Sequence, residues 1–210
     1  MVQDLHSARS ILAAGFEMHA QVVAACLPVL EEPFARVVEI CESKLRAGGK
    51  IVLFGNGGSA ADAQHIAAEL TIRFTVDRPA IAALALTTDT SALTACGNDF
   101  GFERIYARQV EALVRENDAV IGISTSGRSA NVLAGLREAK KLGAATIGFT
   151  GGAGGEMPAL CDAVLCAPSN VTARIQEVHI LLGHLLCEVL EIGNTSSKIR
   201  KTINPRLIIK

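Results

Sequence analysis

Five short runs along the chain are apolar almost without interruption, at residues 50–54, 80–86, 119–124, 145–150 and 163–167. A strand covered on one face alternates apolar with polar residues, and one covered on both faces does not, so these runs predict strands of a parallel sheet buried on both sides. Residues 60–74, 102–116, 129–142 and 171–191 carry apolar positions at helical spacing between and after the runs. This alternation predicts an α/β fold of the doubly wound kind, whose ligands sit beyond the carboxyl ends of the strands. The loops that matter are then GNGGS, TTDTS, STSGRS and TGGAGG. Upstream, residues 4–25 and 31–47 each read as a helix, parted by the Pro28 and Pro33 region. Two helices ahead of a complete α/β unit are expected to pack across its face or against another subunit. The last stretch carries Lys198, Arg200, Lys201, Arg206 and Lys210 with little periodicity, and reads as a solvated tail.

A length of 210 residues, half of them apolar, suits one domain with a sizeable core. Its expected parts are amino-terminal helices at 1–47, an α/β core at 48–194 and a basic tail at 195–210. With 20 basic against 21 acidic residues there is no basic footprint for nucleic acid or an anionic membrane. Any anion must be bound locally. Residues 1–19 mix Asp, His, Arg and Glu among apolar residues, unlike a signal peptide, and no uninterrupted apolar run reaches the roughly 18 residues of a membrane span. The six cysteines show no CxxC spacing and read as reduced thiols of a cytoplasmic protein.

GNGGSAADAQH, from Gly55 to His65, follows a strand and opens a helix, which turns backbone N–H groups and the helix dipole toward an anion. It also matches GxGxxA, but a dinucleotide site needs an acid about 20 positions on. The first acid after the second strand is Asp89, so that reading is disfavoured, and the lack of GK[ST] removes a P-loop. STSGRS is the stronger signal. Ser124, Thr125, Ser126 and Ser129 supply more hydroxyls than capping one helix requires, and hydroxyls with free N–H groups can encircle a phosphate. Arg128 either assists or faces solvent.

His65 and Glu69 stand four apart on one helix, so both side chains leave the same face, as two metal ligands or an acid–base pair would. Gln176, Ile180 and His184 share a face of the last helix amid leucines, where a polar stripe needs partners. His179, about 140° round from His184, is expected to face elsewhere, and His6 and His19 to be surface or packing residues.

Taken together, GNGGSAADAQHIAAEL, LTTDTSALTACGNDFGFERIYARQV, ISTSGRSANVL and PSNVTARIQEVHILLGHLLCEVLE closely resemble the phosphoheptose isomerase family of the SIS (sugar isomerase) fold, over roughly residues 48–191. The resemblance implies a three-layer, flavodoxin-like fold with a five-stranded parallel sheet flanked by helices, two additional amino-terminal helices, and a homotetramer with active sites at subunit interfaces. It implies conversion of sedoheptulose 7-phosphate to D-glycero-D-manno-heptose 7-phosphate, the first step toward nucleotide-activated heptoses, without nucleic-acid or membrane partners. Substrate contacts are implied at Asn56, Gly57, Gly58, Ser59, Glu69, Asn98, Asp99, Ser124, Thr125, Ser126, Ser129 and Gln176. Glu69 and His184 fall on the acid–base pair, and His65, Glu69, Gln176 and His184 on the positions of one zinc ion. A related SIS protein that binds the replication initiator lacks the carboxylate and imidazole at these two positions; both are present here, which favours an enzyme. Other SIS isomerases act on other sugar phosphates and form the remaining alternative.

Overall fold

The computed structural model describes residues 5–194; the basic tail falls outside them. Five parallel strands, β1 (Ile51–Gly55), β2 (Ala83–Ala85), β3 (Ala119–Ile123), β4 (Ala145–Gly151) and β5 (Ala163–Ala167), form one sheet in the order β2-β1-β3-β4-β5. Both β1 and β3 are buried at every position, because helices cover both faces of the sheet, which is why their sequences do not alternate.

Within β1, Ile51 and Leu53 point into one apolar cluster and Val52 and Phe54 into the other. The first cluster is built with α1 (Leu5–Arg46), α2 (Gly58–Thr71) and α7 (Thr172–Asn194). The second lies under α3 (Thr90–Phe100), α4 (Ile105–Leu113), α5 (Ala130–Lys141) and the short α6 (Met157–Leu160). Asp118 pins the strand starts: its carboxylate accepts from Lys50 N at 2.9 Å, Lys50 Nζ at 2.6 Å and Arg115 N at 2.8 Å.

The amino-terminal segment departs from expectation. Instead of two helices parted at the prolines, α1 runs unbroken for 42 residues with Pro28 and Pro33 inside it. Each proline removes a backbone donor, a cost of about 3 kcal/mol in an isolated helix. One buried stripe of Cys26, Leu30, Val37 and Cys41, with Phe34 packed beside it, keeps helical register straight through both positions. Burying it against α7 and the sheet offsets the loss.

The opposite outcome holds for Ile11, Leu12, Phe16 and Leu27, which are 61–71% exposed. By length and composition alone α1 is apolar enough to cross a membrane, with an 18-residue window of mean hydropathy 1.4 that is 6% buried. The helix reaches this value as an average across polar residues such as Glu17, His19 and Gln21, and not as an uninterrupted apolar run. Polar contacts nevertheless fasten the same half of α1 to α7: His19 Nδ1 lies 2.7 Å from Glu177 Oε2, and Arg174 donates to Gly15 O at 2.6 Å. A helix tied down in this way packs on the domain and leaves one apolar face uncovered.

Candidate active site

The strand order reverses between β1 and β3, and a crevice for ligands opens at such a point. The loops following these two strands are GNGGS and STSGRS. Asn56, just past β1, and Asn131, in the first turn of α5, exchange two amide hydrogen bonds of 2.8 Å across the gap. Tyr106 donates its hydroxyl proton to Gly55 O, and burial pushes that phenol up to about 12, so it stays a donor. Asn131 and Tyr106 were not anticipated from the sequence. Only the sheet order brings them beside Asn56.

The second part of the site lies where α2 crosses α7. A Cβ on Gly183 would sit 2.5 Å from Ile66 Cδ1, and one on Gly58 would sit 2.4 Å from Gln176 Nε2. Glycine at both positions lets the helices approach closely. The neighbours of Ile66 and Gly183 then meet: His65 Nε2 lies 2.8 Å from His184 Nε2 and 3.5 Å from Glu69 Oε1. The Phe74 ring stacks on His184 at 5.5 Å between centroids.

The far end of this crossing is locked by Arg78 and Glu191, both buried. Arg78 donates to Glu69 O and Leu70 O, each at 2.8 Å, and to Glu191 Oε1 at 3.2 Å. Glu191 also accepts from the backbone N–H groups of Phe74, Thr75 and Val76 and from the Thr75 hydroxyl. The end of α2 that bears Glu69 is therefore fixed to the end of α7. One turn before His65, Asp62 Oδ2 is buried without a hydrogen-bond partner, and burial pushes that carboxyl up to about 6 while His65 pulls it down. Asp62 stands three residues before His65, a spacing visible in the sequence.

The hydroxyl loop forms the third part. Ser124 Oγ lies 2.9 Å from Ser129 Oγ and 3.5 Å from Ser126 Oγ, and Arg128 N donates to Ser126 Oγ at 3.2 Å. Ser129 occupies the N-cap position of α5 but makes no side-chain capping bond. Its hydroxyl joins the loop cluster instead, which weighs against a simple capping role. A cavity of about 290 Å³ opens beside the loop, lined by Thr125, Ser126, Arg128, Gly154, Ser169 and Asn170. Arg128 is exposed at its edge.

Other expected residues are distributed as follows. Gly57 precedes α2 as its N-cap, with no side-chain capping bond, and Ser59 is buried in the first turn. Asn98 and Asp99 lie exposed at the end of α3 and bond to each other at 2.8 Å; no hydrogen bond joins them to another expected site residue. His179 faces away from His184, into the core. All six cysteines are free thiols.

The donor types around His65 suit zinc, but their spacing as it stands does not. Two nitrogens on one tetrahedral zinc are about 3.3 Å apart, whereas the two imidazoles here share a 2.8 Å contact. No group of three or more His, Cys, Asp or Glu among the described residues is set to hold a metal. Parting the rings by about 0.5 Å is what an ion between them requires.

A parallel sheet of this order, with a hydroxyl loop at the switch point, fits a sugar isomerase domain. The SIS domain family accordingly matches residues 16–151, more than half of the chain. The phosphoheptose isomerase of Paramagnetospirillum magneticum is 58% identical over 173 residues, which is 82% of this chain and 90% of that protein. The solved phosphoheptose isomerase GmhA of Neisseria gonorrhoeae superposes with a TM-score of 0.82 at 44% identity, over 87% of this chain and 98% of that one. That of Francisella tularensis gives 0.85 at 37% identity, over 88% and 98%. The chain belongs to the phosphoheptose isomerase family.

Proposed function

We propose that the chain isomerises sedoheptulose 7-phosphate to D-glycero-D-manno-heptose 7-phosphate through an enediol. The convergence of Glu69, His65 and His184 from two helices, together with a loop of four hydroxyl residues after β3, carries this reading. The names of the similar proteins support the seven-carbon substrate.

In this scheme Ser124, Thr125, Ser126 and Ser129 hold the phosphate, while Asn56, Gly57, Gly58, Ser59 and Gln176 border the sugar. Asn98 and Asp99 contribute from the exposed end of α3. Glu69 takes a proton from C1 of the open-chain ketose and returns it at C2, and His184 carries the hydroxyl protons between O1 and O2. In an alternative version His65, Glu69, Gln176 and His184 would hold zinc once the two rings part, and Glu69 would then serve as a ligand and not as the free base. The ion would polarise the two oxygens and stabilise enediolate charge. The initiator-binding alternative is disfavoured because Glu69 and His184 are both in place.

The uncovered apolar side chains of α1, and Leu181 and Leu185 on α7, support a homotetramer whose interfaces enclose the site. A cytoplasmic location completes the reading. The test is a comparison of kcat/KM for sedoheptulose 7-phosphate, arabinose 5-phosphate and a hexosamine 6-phosphate. Preference for the heptulose by about 100-fold or more is expected, and equal or better turnover of a shorter sugar refutes the assignment.

A further inference from the structure

The peptide group joining Thr150 to Gly151 is held from both sides. Its N–H, on Gly151, donates to Thr125 O in the hydroxyl loop at 3.1 Å. Its carbonyl, Thr150 O, lies 3.0 Å from His179 Nε2. Ser124 N donates to the preceding carbonyl, Phe149 O, at 2.9 Å, so the start of the loop rests on this strand end. Thr150 Oγ1, buried and without a partner, lies 2.9 Å from where a Cβ on Gly127 would be.

His179 is fully buried on α7, its ring 5.9 Å from that of Phe149. A carbonyl can only accept, so Nε2 carries the proton and Nδ1 is bare. That nitrogen has no hydrogen-bond partner. Burial pushes the imidazole down to about 4, which keeps this single neutral tautomer through the physiological range. An imidazole buried with one nitrogen unsatisfied destabilises the fold relative to an apolar side chain of similar size. Its retained bond to Thr150 O therefore calls for a role.

We infer that His179 is a positioning residue for the phosphate grip, fixing the Thr150–Gly151 peptide on which the hydroxyl loop rests. Donation to Thr150 O also polarises the amide, making Gly151 N–H a stronger donor to Thr125 O. Because α7 carries Gln176, His179 and His184, one rigid helix of 23 residues sets the phosphate end and the reacting carbons in a common frame. A misplacement of about 1 Å between such groups is costly to rate and binding. The inference rests on the hydroxyl loop being the phosphate site.

The test uses the full-length protein with His179→Leu, His179→Gln and His179→Asn. Inorganic phosphate affinity is measured by calorimetry, and kcat and KM with sedoheptulose 7-phosphate. Loss of one hydrogen bond predicts that the Leu variant binds phosphate about five- to tenfold more weakly, with KM raised in step and kcat within about twofold. Gln places an amide N–H where Nε2 was and restores phosphate affinity; Asn, one methylene shorter, does not. Leu binding phosphate as tightly as the parent overturns the inference, as does equal weakening by Leu and Gln. If the Leu variant does not fold, equal affinities in the Gln and Asn variants overturn it. A parent protein that binds no phosphate sinks the functional reading as well, whereas a parent that binds it while all three variants match refutes the positioning role alone.

Discussion

His65 Nε2 and His184 Nε2 lie 2.8 Å apart across 119 residues of sequence. Their meeting depends on the close approach of α2 and α7 at Ile66 and Gly183, and on the Arg78–Glu191 pair that locks the far end of the crossing. Side chains brought together by two rigid helices are held more narrowly than side chains on loops. Glu69 shares this frame through its own carbonyl, which accepts from Arg78.

Removing either member of the acid–base pair is expected to abolish most turnover while leaving the fold intact. Glu69→Gln and His184→Ala should each lower kcat by about 10² to 10⁴, with circular dichroism unchanged. Near-normal kcat in either variant assigns proton transfer to another group.

The hydroxyl loop is expected to act on binding more than on chemistry. Ser126→Ala combined with Ser129→Ala should raise KM by about 10² to 10⁴, since each of the two bonds to a charged group contributes about 1.5–3 kcal/mol. A Michaelis constant unchanged in the double variant places the phosphate elsewhere.

Metal dependence separates two versions of the chemistry. Dialysis against a chelator should remove activity, and stoichiometric zinc should restore it and raise the melting temperature. His65→Ala should lose that thermal response, because it removes a proposed ligand. Full activity in protein shown by elemental analysis to hold no zinc leaves Glu69 as an unliganded base.

Acid stability should report on Glu191. Burial raises its carboxyl pKa, but hydrogen bonds from the Thr75 hydroxyl and the backbone of residues 74–76 outweigh this and leave it below the usual value. A pKa depressed by folding gives stability that is complete above the unfolded value, near 4.5, and fades as pH falls below it. Glu191→Gln leaves Arg78 buried without its carboxylate, so it should cost about 3–5 kcal/mol at pH 7. The gap from the parent should narrow below pH 4. Parallel unfolding curves for parent and variant across pH 3–7 contradict this account.

The strands were legible because both faces of the sheet are covered, which writes unbroken apolar runs at β1 and β3, and a nearly unbroken one at β4, into the chain. The pairing of His65 with Glu69 was legible from spacing alone. Helix α3 was not, because Cys96 is its only buried residue and TTDTSALT has no apolar stripe. Its N-cap, Asp89 accepting from Ala92 N at 2.9 Å, was the usable signal. The unbroken α1 was hidden by local proline chemistry that tertiary packing overrides. The partners of Asn131, Tyr106 and His179 could not be read, since Asn56, Gly55 and Thr150 come beside them only once the sheet order is known.

The central claim is that one carboxylate moves a proton between adjacent sugar carbons. Incubation of the protein with sedoheptulose 7-phosphate in deuterium oxide, followed by proton NMR, tests it most directly. The account predicts a manno-heptose 7-phosphate whose C2 has taken up deuterium, formed by the parent protein and not by Glu69→Gln. No aldose formed, or an aldose with no solvent deuterium at C2, contradicts it.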